Sequence, residues 1–271
     1  MRRVHMQAML KSIGIDAEYV PAVDGRKLTR AERARYDAAA ATRVYGCHMS
    51  ESEIGCCLSH LAVTERMVRE NIACALVLED DVVCGPDLVS VVNELCSKAD
   101  PEWLLVRLET QKPVLNNPVS RRTRGRLTSR LQRGGLYRME RGVLGAGACL
   151  VRREAAQRLL DQGSRLCMPF DQMLDRYWEN GIVPFLVRPL PARQVETLHS
   201  EIGLRGRALG EHASVLRMAM RRVQRARDAL DKRLFWGVYA SKISRAAWHQ
   251  LGADTALNIT RAAARLTAKF G

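Results

Sequence analysis

The sequence predicts an α/β sandwich, with helices packed on a mixed, mostly parallel sheet over residues 1–203 and a basic helical tail over residues 204–271. Three observations carry that expectation. Continuous apolar runs of strand length recur at ACALVL (73–78), WLLVRL (103–108), VLGAGACLV (143–151) and IVPFLV (182–187). Between them, apolar residues fall at helical spacing behind capping residues. Beyond residue 203 the strand-length runs stop and the composition turns to alanine and arginine.

The elements follow in order. Met6, Met9, Leu10 and Ile13 share a helical face, and Gly14 suits the helix end. AEYVPAV (17–23) reads as a strand closing in the turn Asp24-Gly25. Thr29 with Glu32, and Ser50 with Glu53, are capping boxes; behind the second runs the stripe Ile54, Cys57, Leu58, Leu61 and Val68. ACALVL is expected as a strand buried on both faces. Pro86 opens a helix with Leu88, Val91, Val92 and Leu95 inward. WLLVRL is a second buried strand, and VLGAGACLV a third, whose glycines allow close approach. Helices at 152–162 and 171–180 end at Gly163 and Gly181. IVPFLV is expected as the last strand, placed near an edge by Pro184.

At 271 residues, 47% hydrophobic and 27% charged, the chain is long enough for a sizeable core and too apolar for global disorder. Its apolar runs fall far short of the roughly 20 residues a membrane span needs. No signal-peptide core follows Met1, which points to the cytoplasm. The eight cysteines show no C-x-x-C spacing, which speaks against a zinc knuckle or thioredoxin motif. They read as reduced packing thiols, Cys56 and Cys57 included. The net charge of +14 is uneven. Fourteen Lys/Arg face four acids from Leu204 onward, and eight Arg face one acid between Ser120 and Arg141. A near-neutral body thus carries a basic insertion and a basic tail, both suited to phosphate-bearing partners or to solvated surface.

The chemistry concentrates in LVLEDD (76–81). Three carboxylates directly after an apolar strand are costly unless they do something, and ligands of open α/β sheets bind beyond the carboxyl ends of strands. If the chain stays extended, Glu79 and Asp81 point one way and Asp80 the other. Two converging carboxylates suit a hard divalent cation, with a diphosphate supplying further oxygens. An acidic turn that merely caps the strand is the competing reading.

The run YGCHMSESEIGCCLSH (45–60) followed by LVLEDD resembles glycosyltransferase family 25. YVPAVDG (19–25) upstream, and GAGACLVRREAAQRLL (145–160), PFDQMLDRYWE (169–179) and PLPARQ…HSEI (189–202) downstream, match in order. The resemblance covers about residues 1–203. It implies a GT-A-like fold, a UDP-hexose donor (galactose above all), a Mn²⁺ or Mg²⁺ cofactor and inverting transfer to a glycan hydroxyl, as in lipooligosaccharide synthesis. The E-D-D segment then takes the D-x-D role, with Glu79 or Asp80 on ribose or metal and Asp81 holding the cation. The family normally opens with a strand ending in Asn-Leu-x-Arg, just ahead of the pair seen here as Arg2-Arg3. Thr64, Ser52, Ala146 and Cys149 stand where the family tends to have Trp, Gly, Thr and Tyr.

Asp171, in Pro-Phe-Asp-Gln at a helix start, is either the base that deprotonates the acceptor or a plain N-cap, and the resemblance favours the base. Asp24 is a candidate for base or ribose contact, although Asp-Gly also suits a tight turn. Gly145 and Gly147 would give the sugar room. His60 reads as either a site residue or a structural histidine, and His199 as a surface residue before a metal ligand. An enzyme acting on lipid-linked glycan would meet its acceptor at the inner face of the cell membrane, where the basic tail suits anionic lipid. Two other classes are weaker. A Mg²⁺-dependent phosphohydrolase needs a nucleophilic Asp where Glu79 stands. A nucleic-acid binder needs aromatics interleaved with the arginines, and the 120–141 run holds only Tyr137.

Overall fold

The computed structural model describes residues 2–97, 102–112, 125–194 and 215–251. The chain divides into two compact units, Met1–Arg221 and Arg222–Gly271. Helix α1 (Arg2–Ser12) buries Met6 and Leu10, and Gly14 follows it at φ 75°. No strand forms at 17–23. That segment lies extended along a helix surface, and its Val23 N–H donates to Ser59 Oγ at 2.8 Å. A glycine makes this close approach possible: a Cβ on Gly55 would stand 2.6 Å from the Val23 carbonyl oxygen. The run that suggested a strand lies extended as expected, but its neighbour is a helix.

Asp24 caps a 3-10 turn (Gly25–Lys27), and α2 (Arg30–Ala34), α3 (Ala38–Val44) and α4 (Glu51–Arg69) follow. Both expected capping boxes are formed, at Thr29/Glu32 and Ser50/Glu53. Strands β1 (Cys74–Leu78) and β2 (Val82–Cys84), helix α5 (Leu88–Cys96) and strand β3 (Leu105–Arg107) come next. A hairpin of β4 (Gly125–Leu131) and β5 (Gly134–Met139) occupies the described part of the basic insertion. Then come β6 (Ala148–Arg152), α6 (Arg153–Gln162), α7 (Phe170–Leu174), α8 (Tyr177–Asn180), β7 (Phe185–Arg188) and β8 (Ala192–Gln194). The long helix α9 (Val215–Leu251) is the described part of the basic tail.

Six strands form one sheet in the order β1-β6-β3-β7-β5-β4, while β2 and β8 pair separately. The α/β class and the mixed sheet stand, but the parallel share is smaller than expected: among the described strands of this sheet, β3 and β7 are the one parallel pair. The chain returns after β1 to lay β6 beside it antiparallel, Leu76 opposite Leu150, and β4–β5 is a local hairpin. β1 lies at the edge of this sheet and is half-buried throughout, whereas β3 and β6 beside it hold the buried positions. β7 is interior, not near an edge, and β8 follows it. Pro184 precedes β7 and offers only its carbonyl, which accepts from Met139 N–H at 2.8 Å, so the missing proline donor breaks no ladder. The helix expected over 171–180 is two short ones, interrupted where Asp175 turns toward Arg107.

Helices α4 and α6 cover one face of the sheet. Their Leu58, Leu61, Ala155, Ala156 and Leu159 close a core with Leu105, Cys149 and Val151 of the strands and Met173 and Leu174 of α7. This packing holds the carboxyl end of β1 against α4.

Candidate active site

The acidic segment does not stay extended. Glu79 N–H donates to the Gly147 carbonyl at 2.8 Å, extending the β1–β6 pairing, and the chain then turns, with Val82 N–H reaching back to Glu79 O at 3.4 Å. The turn separates the side chains. His60 Nε2 on α4 lies 2.7 Å from Glu79 Oε1. Asp80 is exposed. Asp81 is buried, and its Oδ2 accepts from Gln194 Nε2 at 2.9 Å. The β2–β8 ladder sets that contact, since it pairs Val82 with Gln194.

Sequence reasoning missed Glu109. It follows β3, is buried, and its Oε1 accepts the Gly147 N–H at 2.9 Å. Gly147 is therefore gripped from both sides, by Glu109 at its N–H and by the Glu79 backbone at its carbonyl. Glu109 Oε2 is buried with no hydrogen-bond partner. Burial raises its pKa to about 7, and the negative charges of Glu79 and Asp81 push the same way against Gly147 N–H and Arg107. The space beside Gly145 (φ 87°) goes to this carboxylate, where a Cβ would stand 2.3 Å from Glu109 Oε1, and at Gly147 a Cβ would meet Val82 Cγ2 at 2.8 Å. The signal in the sequence was RLET, an acid just beyond an apolar strand, by the same logic that singled out LVLEDD.

His60 lies flat on Phe170, with ring centroids 4.3 Å apart. Burial pulls its pKa down, but hydrogen bonds to Cys56 and Glu79 and their charges outweigh that and lift it to about 10. Burial likewise pushes Glu79 up, and the bond and charge of His60 bring it below the usual carboxylate range. The pair is an imidazolium–carboxylate contact. Asp171 follows Phe170 in the first turn of α7, is buried, and takes the Gln172 N–H at 2.8 Å on its Oδ1. The N-cap of α7 is Pro169, so Asp171 does not serve as one. Phe170, His60 and Glu79 thus form a continuous path from Asp171 to the acidic turn.

Beside this path, Asp175 accepts Val143 and Leu144 N–H at 2.9 Å each and pairs with buried Arg107 at 3.2 Å. Lys112 reaches the Gly142 carbonyl, and burial lowers its pKa. Asp24 lies in its turn, bonded to Arg26 at 2.9 Å, and that pairing lowers its pKa. His199 lies outside the described residues.

Asp81 and Glu109, close enough for the Asp81 charge to act on Glu109, offer only oxygen donors, the type a hard divalent cation takes. The unpartnered, buried Glu109 Oε2 fits such a charge, because a carboxylate desolvated beside other acids gains most from a cation.

An α/β fold with a buried acidic strand end is the frame on which the relatives can be placed. The family described as glycosyltransferase family 25 (LPS biosynthesis protein) matches residues 1–174. The chain belongs to that family. It is similar to proteins named "Glycosyltransferase 25 family member" from three insects. The Drosophila melanogaster protein is 38% identical over 129 residues, 43% of this chain and 21% of its own length. The Anopheles gambiae protein is 40% identical over 91 residues, 31% of this chain and 15% of its own. The Aedes aegypti protein is 39% identical over 89 residues, 31% and 15% respectively. The matched part of this chain thus spans about a fifth or less of those relatives.

Proposed function

We propose that this chain is a glycosyltransferase that moves a hexose, galactose in the first instance, from a UDP-sugar to a hydroxyl of a lipid-linked surface glycan, with inversion. The observation that carries the reading is the convergence of Glu79, Asp81 and Glu109 on the end of β1, around a glycine held by two of them. Asp81 would hold Mn²⁺ or Mg²⁺, and the buried Glu109 carboxylate would gain from the same charge. Bound there, the cation would neutralise the diphosphate as it departs. His60 keeps Glu79 ionised and oriented. Asp171 takes the proton of the acceptor hydroxyl as that oxygen forms its bond to the anomeric carbon and the bond to UDP breaks. A single displacement of this kind inverts the centre.

The test is transfer and donor hydrolysis over a panel of UDP-sugars with Mn²⁺. Asp81→Ala should lose at least a hundredfold in kcat/KM with its fold intact, and a chelator should have the same effect; full activity under either condition rejects the cation role. Asp171→Asn should lower kcat while donor affinity holds, since the base acts on the acceptor. Loss of donor affinity with unchanged kcat would remove Asp171 from that role.

The tail supports a second part of the reading, docking on anionic lipid at the inner face of the cell membrane. On α9, Val223, Leu230, Leu234 and Val238 are exposed by 70, 57, 59 and 55%. At 3.6 residues per turn they fall within roughly 80° of arc. Arg222, Arg227 and Arg233 are exposed on the same helix. Arg222 and Arg233 lie to one side of that arc and Arg227 within it, and an apolar stripe with cations at this level fits a headgroup surface. No helix among the described residues is long and apolar enough to cross a membrane.

A further inference from the structure

The eight cysteines were expected to be packing residues, and Cys56 stands beside a histidine and a carboxylate. Cys56 and His60 stand four residues apart on α4, one turn above the other, and Glu79 meets them from the end of β1. One donor atom from each lies within 4.8 Å of the other two. We propose that Cys56, His60 and Glu79 form a binding site for a transition-metal ion of the zinc class, with a fourth position open to water. The site shares His60 and Glu79 with the proposed transfer site, but its donors differ from the oxygen-only Asp81 and Glu109, and its test does not read sugar transfer.

The donor chemistry selects the ion. Thiolate, imidazole and carboxylate together suit zinc and its neighbours, whereas magnesium and manganese prefer oxygen alone. Zinc bonds of about 2.0–2.3 Å in a tetrahedron place donors about 3.4–3.6 Å apart. The 2.7 Å contact between His60 and Glu79 must therefore widen, and the rest of the triangle needs to close by no more than about 1.4 Å. The supports are built. Phe170 fixes the plane of the imidazole, and the Glu79 backbone is tied to Gly147. Cys56 is half-buried and the Glu79 side chain 28% exposed, so an ion has a way in. On binding, the ion replaces the proton between His60 and Glu79 and the thiol proton of Cys56, both of which pass to solvent. The alternative is a metal-free ion pair beside an idle thiol.

Cobalt titration of the reduced, chelator-stripped full chain separates the two. The expected result is a near-ultraviolet thiolate-to-cobalt charge-transfer band that saturates at one ion per chain and is abolished by added zinc. Cys56→Ser should remove the band, Glu79→Gln should weaken cobalt binding at least tenfold, and Cys96→Ser, at an exposed thiol, should change nothing. Cobalt held by the oxygen-only carboxylates gives no thiolate band, so failure of the donor-site reading leaves this result untouched. Absence of the band in the parent protein, or its survival in Cys56→Ser, overturns the proposal.

Discussion

Glu109 shows how one atom can set the behaviour of a site. Its Oε2 is buried and unpartnered, and its pKa of about 7 stands above the ordinary 4.5. A raised acid pKa stabilises the fold at low pH. Below about pH 4.5 the contribution is complete; between 4.5 and 7 the folded chain keeps a proton that the unfolded chain has lost, so stability falls as pH rises. The size is on the order of 3 kcal/mol. Glu109→Gln keeps the acceptor for Gly147 N–H and removes the charge. In chelator, urea unfolding should show the variant more stable than the parent above pH 7, with the two alike below pH 4.5. Equal stabilities at pH 8 would mean that Glu109 ionises at no cost. In the His60–Glu79 pair the two halves run in opposite directions, His60 like Glu109 and Glu79 against it. The raised His60 pKa contributes fully below about pH 6.5 and is lost as pH rises toward 10, while the lowered Glu79 pKa contributes above about 4.5 and is lost toward acid. Glu109 was hard to see in the sequence because a single acid after a strand has many uses, whereas three in a row at 79–81 have few.

Elements were legible where the cause is local. Both capping boxes, the buried stripe of α4 and the ends at Gly14, Gly163 and Gly181 depend on residues within one or two turns, and the structure keeps them. What failed was non-local. Nothing within AEYVPAV states that its neighbour is a helix, and nothing within IVPFLV states that two strands flank it. The E-D-D segment failed at intermediate range: its direction depends on a turn closed by Val82, one residue past the motif. Gly55 tests how helix and extended segment fit. A Cβ there meets Val23 O at 2.6 Å and Gly25 N at 2.7 Å, both backbone atoms that cannot swing aside. Gly55→Ala should therefore destabilise by about 1–3 kcal/mol, although alanine is the better helix former. At Gly237 on α9 a Cβ meets nothing within 4 Å, so the same exchange there should instead favour the helix. Thermal or urea unfolding of the two variants compares them directly, and equal shifts would refute the packing argument.

At the scale of the whole molecule, the catalytic reading and the docking reading belong to different parts of the chain and can be tested apart. Truncation before Leu204 removes the basic tail and leaves every carboxylate of the proposed site. Flotation with vesicles should show the full chain rising with anionic lipid, less so as salt increases, and the truncated chain remaining below, while transfer to a soluble acceptor survives. A truncated chain that still floats would place the lipid contact elsewhere. The position of β7 has a consequence for how the molecule is made. It joins β1-β6-β3 to β5-β4, and its pairing of Val106 with Phe185 is a long-range contact that skips over β4, β5 and β6 in the chain. A nascent chain can close the β4–β5 hairpin early, but its two half-sheets have no common neighbour until residue 188 has left the ribosome. Folding of this protein should thus wait on synthesis, and a fragment ending at residue 174, where the family match stops, would hold the acidic turn yet lack the strand that joins the sheet's two halves.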